Sequence, residues 1–259
     1  MGLELKNVTM RFGGLTAVGD LSAQIEPTGL VGLIGPNGAG KTTVFNVITG
    51  VYSPTEGEVQ FLGKSIKGKK PSEITGCGIS RTFQNIRLFK GMSVFDNIRV
   101  SFAPKVGHRT LGSQLRLGGF YSEEKAVAKK IDELLDFFQL RHVSDEQATS
   151  LPYGDQRRIE IIRALATEPK LLLLDEPAAG MNPTEKVNLM KLIRQIRDEF
   201  KIAVLLIEHD MGLVMGVCER IMVLDYGVKI AEGTPKEIRS DKKVIEAYLG
   251  EVAEEKEHA

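Results

Sequence analysis

The sequence predicts an α/β fold: a core with a mostly parallel sheet, an antiparallel β subdomain and a helical insertion. Three observations carry that reading. Leu30–Ile34, Leu171–Leu174, Ala203–Ile207 and Ile221–Leu224 are short runs that are apolar throughout, as in strands covered on both faces of a parallel sheet. Segments of helical spacing alternate with them, which is the α/β rhythm. Two regions break the rhythm, Gly50–Ile66 and Phe89–Ser150, and these become the β subdomain and the insertion.

Taken in order, Leu3–Val8 alternates apolar and polar, as a half-buried strand does. Leu30–Ile34 is a buried strand, and Thr43–Ile48 follows it as a helix. Gly50–Ile66 is rich in turn residues (Ser53, Pro54, Gly57) and then alternates at Val59 and Phe61, an antiparallel pattern. Within the insertion Val127, Ile131, Leu134, Leu135 and Phe138 fall at helical spacing, while 104–120 reads as loop with Gly107, Gly112, Gly118 and Gly119. Leu189, Leu192, Ile193 and Ile196 mark a later helix. The expected organisation is a single domain over 3–250, with its core in 3–88 and 155–250, the insertion over about 89–154 and a flexible tail over 251–259.

Composition narrows the function classes. Lys+Arg and Asp+Glu both number 34, so the net charge is zero, which gives no support to nucleic-acid binding. Cys77 and Cys218 lack metal-site or disulfide spacing and read as reduced thiols of a cytosolic protein. No apolar run approaches the ~20 residues that span a bilayer, and the N-terminus lacks a signal-peptide layout. Any membrane association is therefore expected through a partner.

Gly35-Pro36-Asn37-Gly38-Ala39-Gly40-Lys41-Thr42 fits the phosphate-loop pattern. At average residue frequencies that pattern arises by chance in roughly one chain in a hundred of this length. A buried strand before it and a helix from Thr43 after it set an ordinary glycine turn aside. The glycines let successive N–H groups turn inward at phosphate oxygens, and the helix N-terminus adds partial positive charge. Lys41 would reach the β- and γ-phosphates of ATP, and the Thr42 hydroxyl would ligate Mg²⁺.

Leu171–Leu174 ends in Asp175-Glu176, which puts carboxylates at the ligand-binding edge of an α/β sheet. Asp175 would hold Mg²⁺ through water, and Glu176 would act as general base on the attacking water. Ala203–Ile207 ends in Glu208-His209; a neutral imidazole there could meet the γ-phosphate or hold that water. Leu151–Leu165 reads as a turn entering a helix, with Gly154 on the approach. That is a possible phosphate contact, although an ordinary turn is the plainer reading.

The order of these motifs resembles the nucleotide-binding domain of ABC transporters, from about Leu3 to Gly250. The phosphate loop comes first, then Gln84, the Leu151–Gln156 segment, the acidic strand and His209. The resemblance implies a phosphate-loop ATPase core, an adenine-stacking role for Phe12, and a role for Gln84 in sensing Mg²⁺ and the attacking water. It also implies that Gly154 and the Leu151–Gln156 signature contact ATP held by an opposite subunit, with Ala179–Asn182 crossing the dimer interface.

Two positions depart from the family pattern. Pro152 stands where a serine is usual and offers neither hydroxyl nor N–H. Asn182 stands where Asp is usual, keeping an acceptor but losing the charge.

Within the family, several segments resemble the branched-chain amino acid importer ATPases. They are Gly50–Gly57, Arg81–Phe89, Asp175–Gly180, Ile207–Met211, Gly233–Ile238 and Val244–Gly250. That resemblance implies an import ATPase on the cytoplasmic face of the membrane, beneath permease subunits. It further implies a non-identical second ATPase subunit and an external solute-binding protein acting indirectly. Phe89, Met92, Val94 and Phe95 are the candidates for receiving the permease's coupling helix, with core of the insertion as the other reading. A lipid or lipopolysaccharide transport ATPase is the nearest alternative. A soluble ABC ATPase of DNA repair or translation is further off, because such chains carry coiled-coil insertions or tandem domains.

Overall fold

A computed structural model describes residues 2–102 and 120–248. Most of the loop expected at 104–120, and the tail expected at 251–259, lie outside the described residues. Two compact units divide the chain, Met1–Gln84 with Lys170–Ala259, and Asn85–Pro169.

The first unit holds two sheets. β1 (Leu3–Phe12), β2 (Leu15–Ile25), β4 (Glu56–Phe61) and β5 (Lys64–Ser65) form an antiparallel sheet in the order β2-β1-β4-β5. The second sheet contains β3 (Leu30–Ile34), β6 (Ile79–Arg81), β7 (Leu171–Asp175), β8 (Ala203–Ile207), β9 (Arg220–Asp225) and β10 (Val228–Gly233), in the order β10-β9-β3-β8-β7-β6. It is parallel except for the β9–β10 hairpin.

The strands read as continuously apolar are the ones covered on both faces. Every residue of β3, β7 and β8 is buried. The leucines of β7 each contribute on the order of 2 kcal/mol by burial. Strand alternation divides their side chains between two faces. Val31, Leu33, Leu171, Leu173, Ala203, Leu205 and Ile207 share one core with Phe45 and Ile48 of α1 (Lys41–Ile48) and with Leu3, Leu5 and Val59 of the antiparallel sheet. By the same alternation Asp175 lies on the face of β7 that carries Leu171 and Leu173.

Helices of this unit start where local chemistry dictates. α2 (Pro71–Gly76) begins with proline at its first position. α6 (Pro183–Phe200) is capped by Asn182, whose Oδ1 accepts from the Glu185 N–H at 3.0 Å while Glu185 accepts from the Asn182 N–H at 2.8 Å. Leu189, Ile193 and Ile196 are its buried face. α7 (Met211–Val217) is capped by Asp210, and α8 (Pro235–Ser240) by Thr234 in a capping box with Glu237. The N–H and hydroxyl of Thr234 hold the Glu237 carboxyl below its ordinary pKa.

The second unit contains α3 (Val94–Arg99), α4 (Phe120–Phe137) and α5 (Tyr153–Leu165). Ile131, Leu134, Leu135 and Phe138, at the predicted helical spacing, are buried. The insertion expected over 89–154 stops short of this unit, because α5 packs against α3 and falls with it. Arg157 on α5 is wholly buried, donating to Glu160 at 2.6 Å and to the Tyr153 hydroxyl at 3.1 Å. Of the residues offered for a coupling-helix groove, Phe89 and Met92 are exposed, Phe95 is half-buried, and Val94 is completely buried. Val94 therefore belongs to the core of this unit.

Candidate nucleotide site

β3, β8, β7 and β6 are adjacent and parallel, so their C-terminal ends form one edge. Ligands bind at such an edge.

The loop after β3 is shaped by its glycines. Gly35, Gly38 and Gly40 have φ of 150°, 77° and 96°, values that L side chains rarely adopt. A Cβ on Gly40 would lie 2.5 Å from the Ala17 carbonyl oxygen on β2, and one on Gly35 would lie 2.0 Å from the Leu224 oxygen on β9. The loop is thus pressed against backbone on two sides. It is further held by the Gly227 N–H, which donates to the Ala39 oxygen at 3.1 Å, and by the Gly19 N–H donating to Gly227 at 2.9 Å.

α1 starts directly at Lys41, with Gly40 as its left-handed cap. The Lys41 ammonium donates to the Gly35 and Pro36 carbonyls at 2.6 and 2.7 Å, folding back over the loop. Asn37, Gly38 and Thr42 are exposed, and Thr43 is half-buried. Backbone donors backed by a helix N-terminus, with one cation lying across them, suit a polyphosphate.

Three of the predicted catalytic residues come together. The Gln84 Nε2 donates to the Glu176 Oε2 at 2.8 Å, and the His209 Nδ1 lies 3.8 Å from the same oxygen. Glu176 itself has a φ of 45°, a costly conformation for a residue with a side chain. Such outliers concentrate at functional sites. It is held there by its N–H donating to the Ile207 oxygen at 2.9 Å, which joins the ends of β7 and β8.

Asp175 is nearly buried and makes an ion pair that sequence reasoning missed. The Arg81 guanidinium, from the end of β6, donates to Asp175 Oδ2 and to Asn46 Oδ1 on α1, each at 2.7 Å. The Phe45 and Phe83 rings lie 5.4 and 5.6 Å from it. Arg81 therefore links the helix after the phosphate loop to the acidic strand. A signal existed in its place three residues before Gln84, but only the β6–β7 pairing gives it a partner.

Glu208 is the second omission. It is fully buried, and it accepts from the backbone N–H groups of Ala178, His209 and Asp210. Burial pushes its pKa up, against the lowering effect of those donors and of the nearby His209.

Phe12 ends β1 half-exposed, with its ring edge-to-face on Tyr52 at a centroid distance of 5.0 Å. It belongs to the same hairpin as Ala17, which backs Gly40. Gly154 lies in the other unit, in the first turn of α5. Pro152 caps that helix without a side-chain hydrogen bond. Gln156 instead folds back, donating to the Thr149 and Leu151 carbonyls at 3.2 and 2.8 Å.

Among the described residues no group of three or more His, Cys, Asp or Glu could hold a metal alone. A hydroxyl, an amide oxygen and a carboxylate, from Thr42, Gln84 and Asp175, are the hard oxygen donors that suit Mg²⁺, which dehydrates reluctantly and takes remaining ligands from water and substrate phosphates. No helix among the described residues is long and apolar enough to cross a membrane.

The family model described as ABC transporter matches residues 18–179, spanning the phosphate loop, Gln84 and the acidic strand. The chain belongs to the ABC transporter family. A second model, described as branched-chain amino acid ATP-binding cassette transporter, matches 228–254 of this ABC ATPase. The chain is 44% identical over 249 residues to the high-affinity branched-chain amino acid transport ATP-binding protein BraF of Pseudomonas aeruginosa, covering 96% of this chain and 98% of that one.

Among solved structures, the ADP conformation of an ATP-binding cassette of an ABC transporter is similar, with a TM-score of 0.84 and 34% identity over 96% of this chain and 98% of that one. So is a dimeric post-hydrolysis cassette bound to ADP and Pi, with a TM-score of 0.74 and 26% identity over 90% of this chain and 98% of that one. The family's activity is ATP hydrolysis coupled to transport.

Proposed function

We propose that this ABC ATPase powers import of branched-chain amino acids, working at the cytoplasmic face of the membrane beneath its permease subunits. The observation that carries the solute class is likeness along nearly the whole chain to a branched-chain amino acid transport ATPase, joined to the separate match of the C-terminal segment.

In the proposed mechanism Lys41 and the amides of Gly38, Gly40, Lys41, Thr42 and Thr43 bind the ATP phosphates, and Phe12 stacks on adenine. Thr42, Asp175 and Gln84 would hold Mg²⁺, which would neutralise phosphate charge. Glu176 takes the proton from water as the water oxygen attacks the γ-phosphorus, and the bond to the β-phosphate oxygen breaks to release ADP. Gln84, hydrogen-bonded to Glu176, and His209, beside it, orient that water. Gly154 and the N-terminus of α5 contact ATP held by a second, non-identical ATPase subunit. Asn182 crosses near that interface, and an external solute-binding protein delivers the solute.

The test is reconstitution with the co-purifying membrane subunits in lipid vesicles. Leucine, isoleucine or valine with the cognate binding protein should stimulate ATP turnover; stimulation only by an unrelated solute overturns the assignment. Glu176→Gln in the same vesicles should bind ATP normally and lower turnover at least a hundredfold, as loss of a general base does (about 10²–10⁴). Unchanged turnover removes Glu176 as base.

A further inference from the structure

Glu208 is completely buried at the end of β8, and neither the phosphate cradle nor the hydrolytic cluster uses it. A carboxylate in such a place is costly unless hydrogen-bonded. Its bonds all go to backbone, and they divide between two segments. Oε1 accepts from the Ala178 N–H at 2.8 Å, in the stretch that leaves β7. Oε2 accepts from the His209 N–H at 3.2 Å and the Asp210 N–H at 3.4 Å, in the turn that leaves β8.

A second tie runs parallel to the first. The Lys186 ammonium, in the first turns of α6, donates to Asp210 Oδ2 at 2.5 Å. That hydrogen bond raises the Lys186 pKa and lowers that of Asp210. Asn182 caps α6, so the stretch from Glu176 to Asn182 is fastened to the His209 turn at Ala178 and again just beyond Asn182. Glu176 begins that stretch in a strained left-handed conformation, with its carboxylate 3.8 Å from His209. A strained residue persists only where its surroundings over-determine it.

We propose that Glu208 is a positioning residue for hydrolysis. Its carboxylate clamps the 176–182 segment to the His209 turn, so the two move as one and Glu176 and His209 keep their mutual placement. A shift of the segment that contains Asn182 is thereby delivered to His209. This inference rests on the hydrolytic reading of Glu176 and His209 given above.

The test is Glu208→Gln, alone and combined with His209→Ala. The amide keeps the side chain's shape, but it cannot accept from both segments with both ends, so one tie is lost. Coupled residues show interactions equivalent to roughly twofold to a hundredfold in rate. Glu208→Gln is expected to lower kcat about tenfold with ATP Kd, from titration of a fluorescent analogue, unchanged within about twofold. In the His209→Ala background the further loss should shrink to less than about twofold, because the group being positioned is gone.

An unchanged kcat overturns the proposal. So does an equal loss with and without His209, or a fall in ATP affinity instead of kcat; those would make Glu208 a packing residue. Should Glu208→Gln fail to fold, Lys186→Met cuts the second tie at a partly exposed position. It should lower kcat about threefold, again only when His209 is present. Failure of the underlying reading is distinguishable, since it appears as normal turnover in Glu176→Gln.

Discussion

Arg81→Met isolates the ion pair that joins the phosphate-loop helix to the acidic strand. The side chains of Arg81 and Asp175 are only 10% and 6% exposed, so the pair is shielded from solvent screening. Removing one partner of a buried pair leaves an uncompensated charge and costs about 3–5 kcal/mol. Three features of this site adjust that figure. Asn46 also loses the 2.7 Å bond from Arg81, and the Phe45 ring loses a cation 5.4 Å away, which adds to the cost. Against this, the Arg81 Nε has no hydrogen-bond partner, so the substitution relieves one buried unsatisfied donor.

A net loss of about 3 kcal/mol is expected from these opposing contributions. For a chain of this size that lowers Tm by roughly 6–12 °C. The assay is calorimetric or circular-dichroism melting without nucleotide and without Mg²⁺, so that no bound cation replaces Arg81. Asp175→Asn in the Arg81→Met background removes the stranded charge and should restore more than about half of the loss. A melting point for Arg81→Met within about 2 °C of the parent, or no recovery in the double variant, refutes the reasoning.

Other expectations follow from the same geometry. Gly40→Ala and Gly38→Ala both place a side chain at positive φ, costing about 1–2 kcal/mol each. Only at Gly40 would the new Cβ meet backbone, 2.5 Å from the Ala17 oxygen, whereas nothing lies within 4 Å at Gly38. Nucleotide titration should therefore show Gly40→Ala losing at least about ten times more ATP affinity than Gly38→Ala; equal losses would mean that the contact with β2 does not shape the cradle. Burial pushes the Cys218 thiol up to about 12, so it holds almost no reactive thiolate at neutral pH. A thiol reagent followed by mass spectrometry should label the half-buried Cys77 in the folded chain and Cys218 only after denaturation. Rapid labelling of native Cys218 would contradict its burial.

What the sequence by itself determined is local and periodic. Unbroken apolar runs identified β3, β8, most of β7 and most of β9, because a strand covered on both faces is apolar wherever no partner satisfies a polar group. The glycine spacing from Gly35 to Gly40 marked the candidate cradle, since backbone that must curl inward admits few other residues. Glu176 and His209 were legible as candidates because each follows a buried strand, where α/β sheets place their chemistry, and motif order alone offered Gln84 as a candidate. What only the tertiary structure decided is partnership. Arg81 and Asp175 are 94 positions apart and meet because β6 pairs with β7. Glu208 reads in sequence as one more polar strand end, and its role as a buried tie depends on the Ala178 N–H, 30 positions away. Val94 likewise offered no mark to separate an exposed groove residue from a core one. Buried charges and packed side chains take their meaning from neighbours brought together by sheet order, and periodicity along one strand carries no record of what lies beside it.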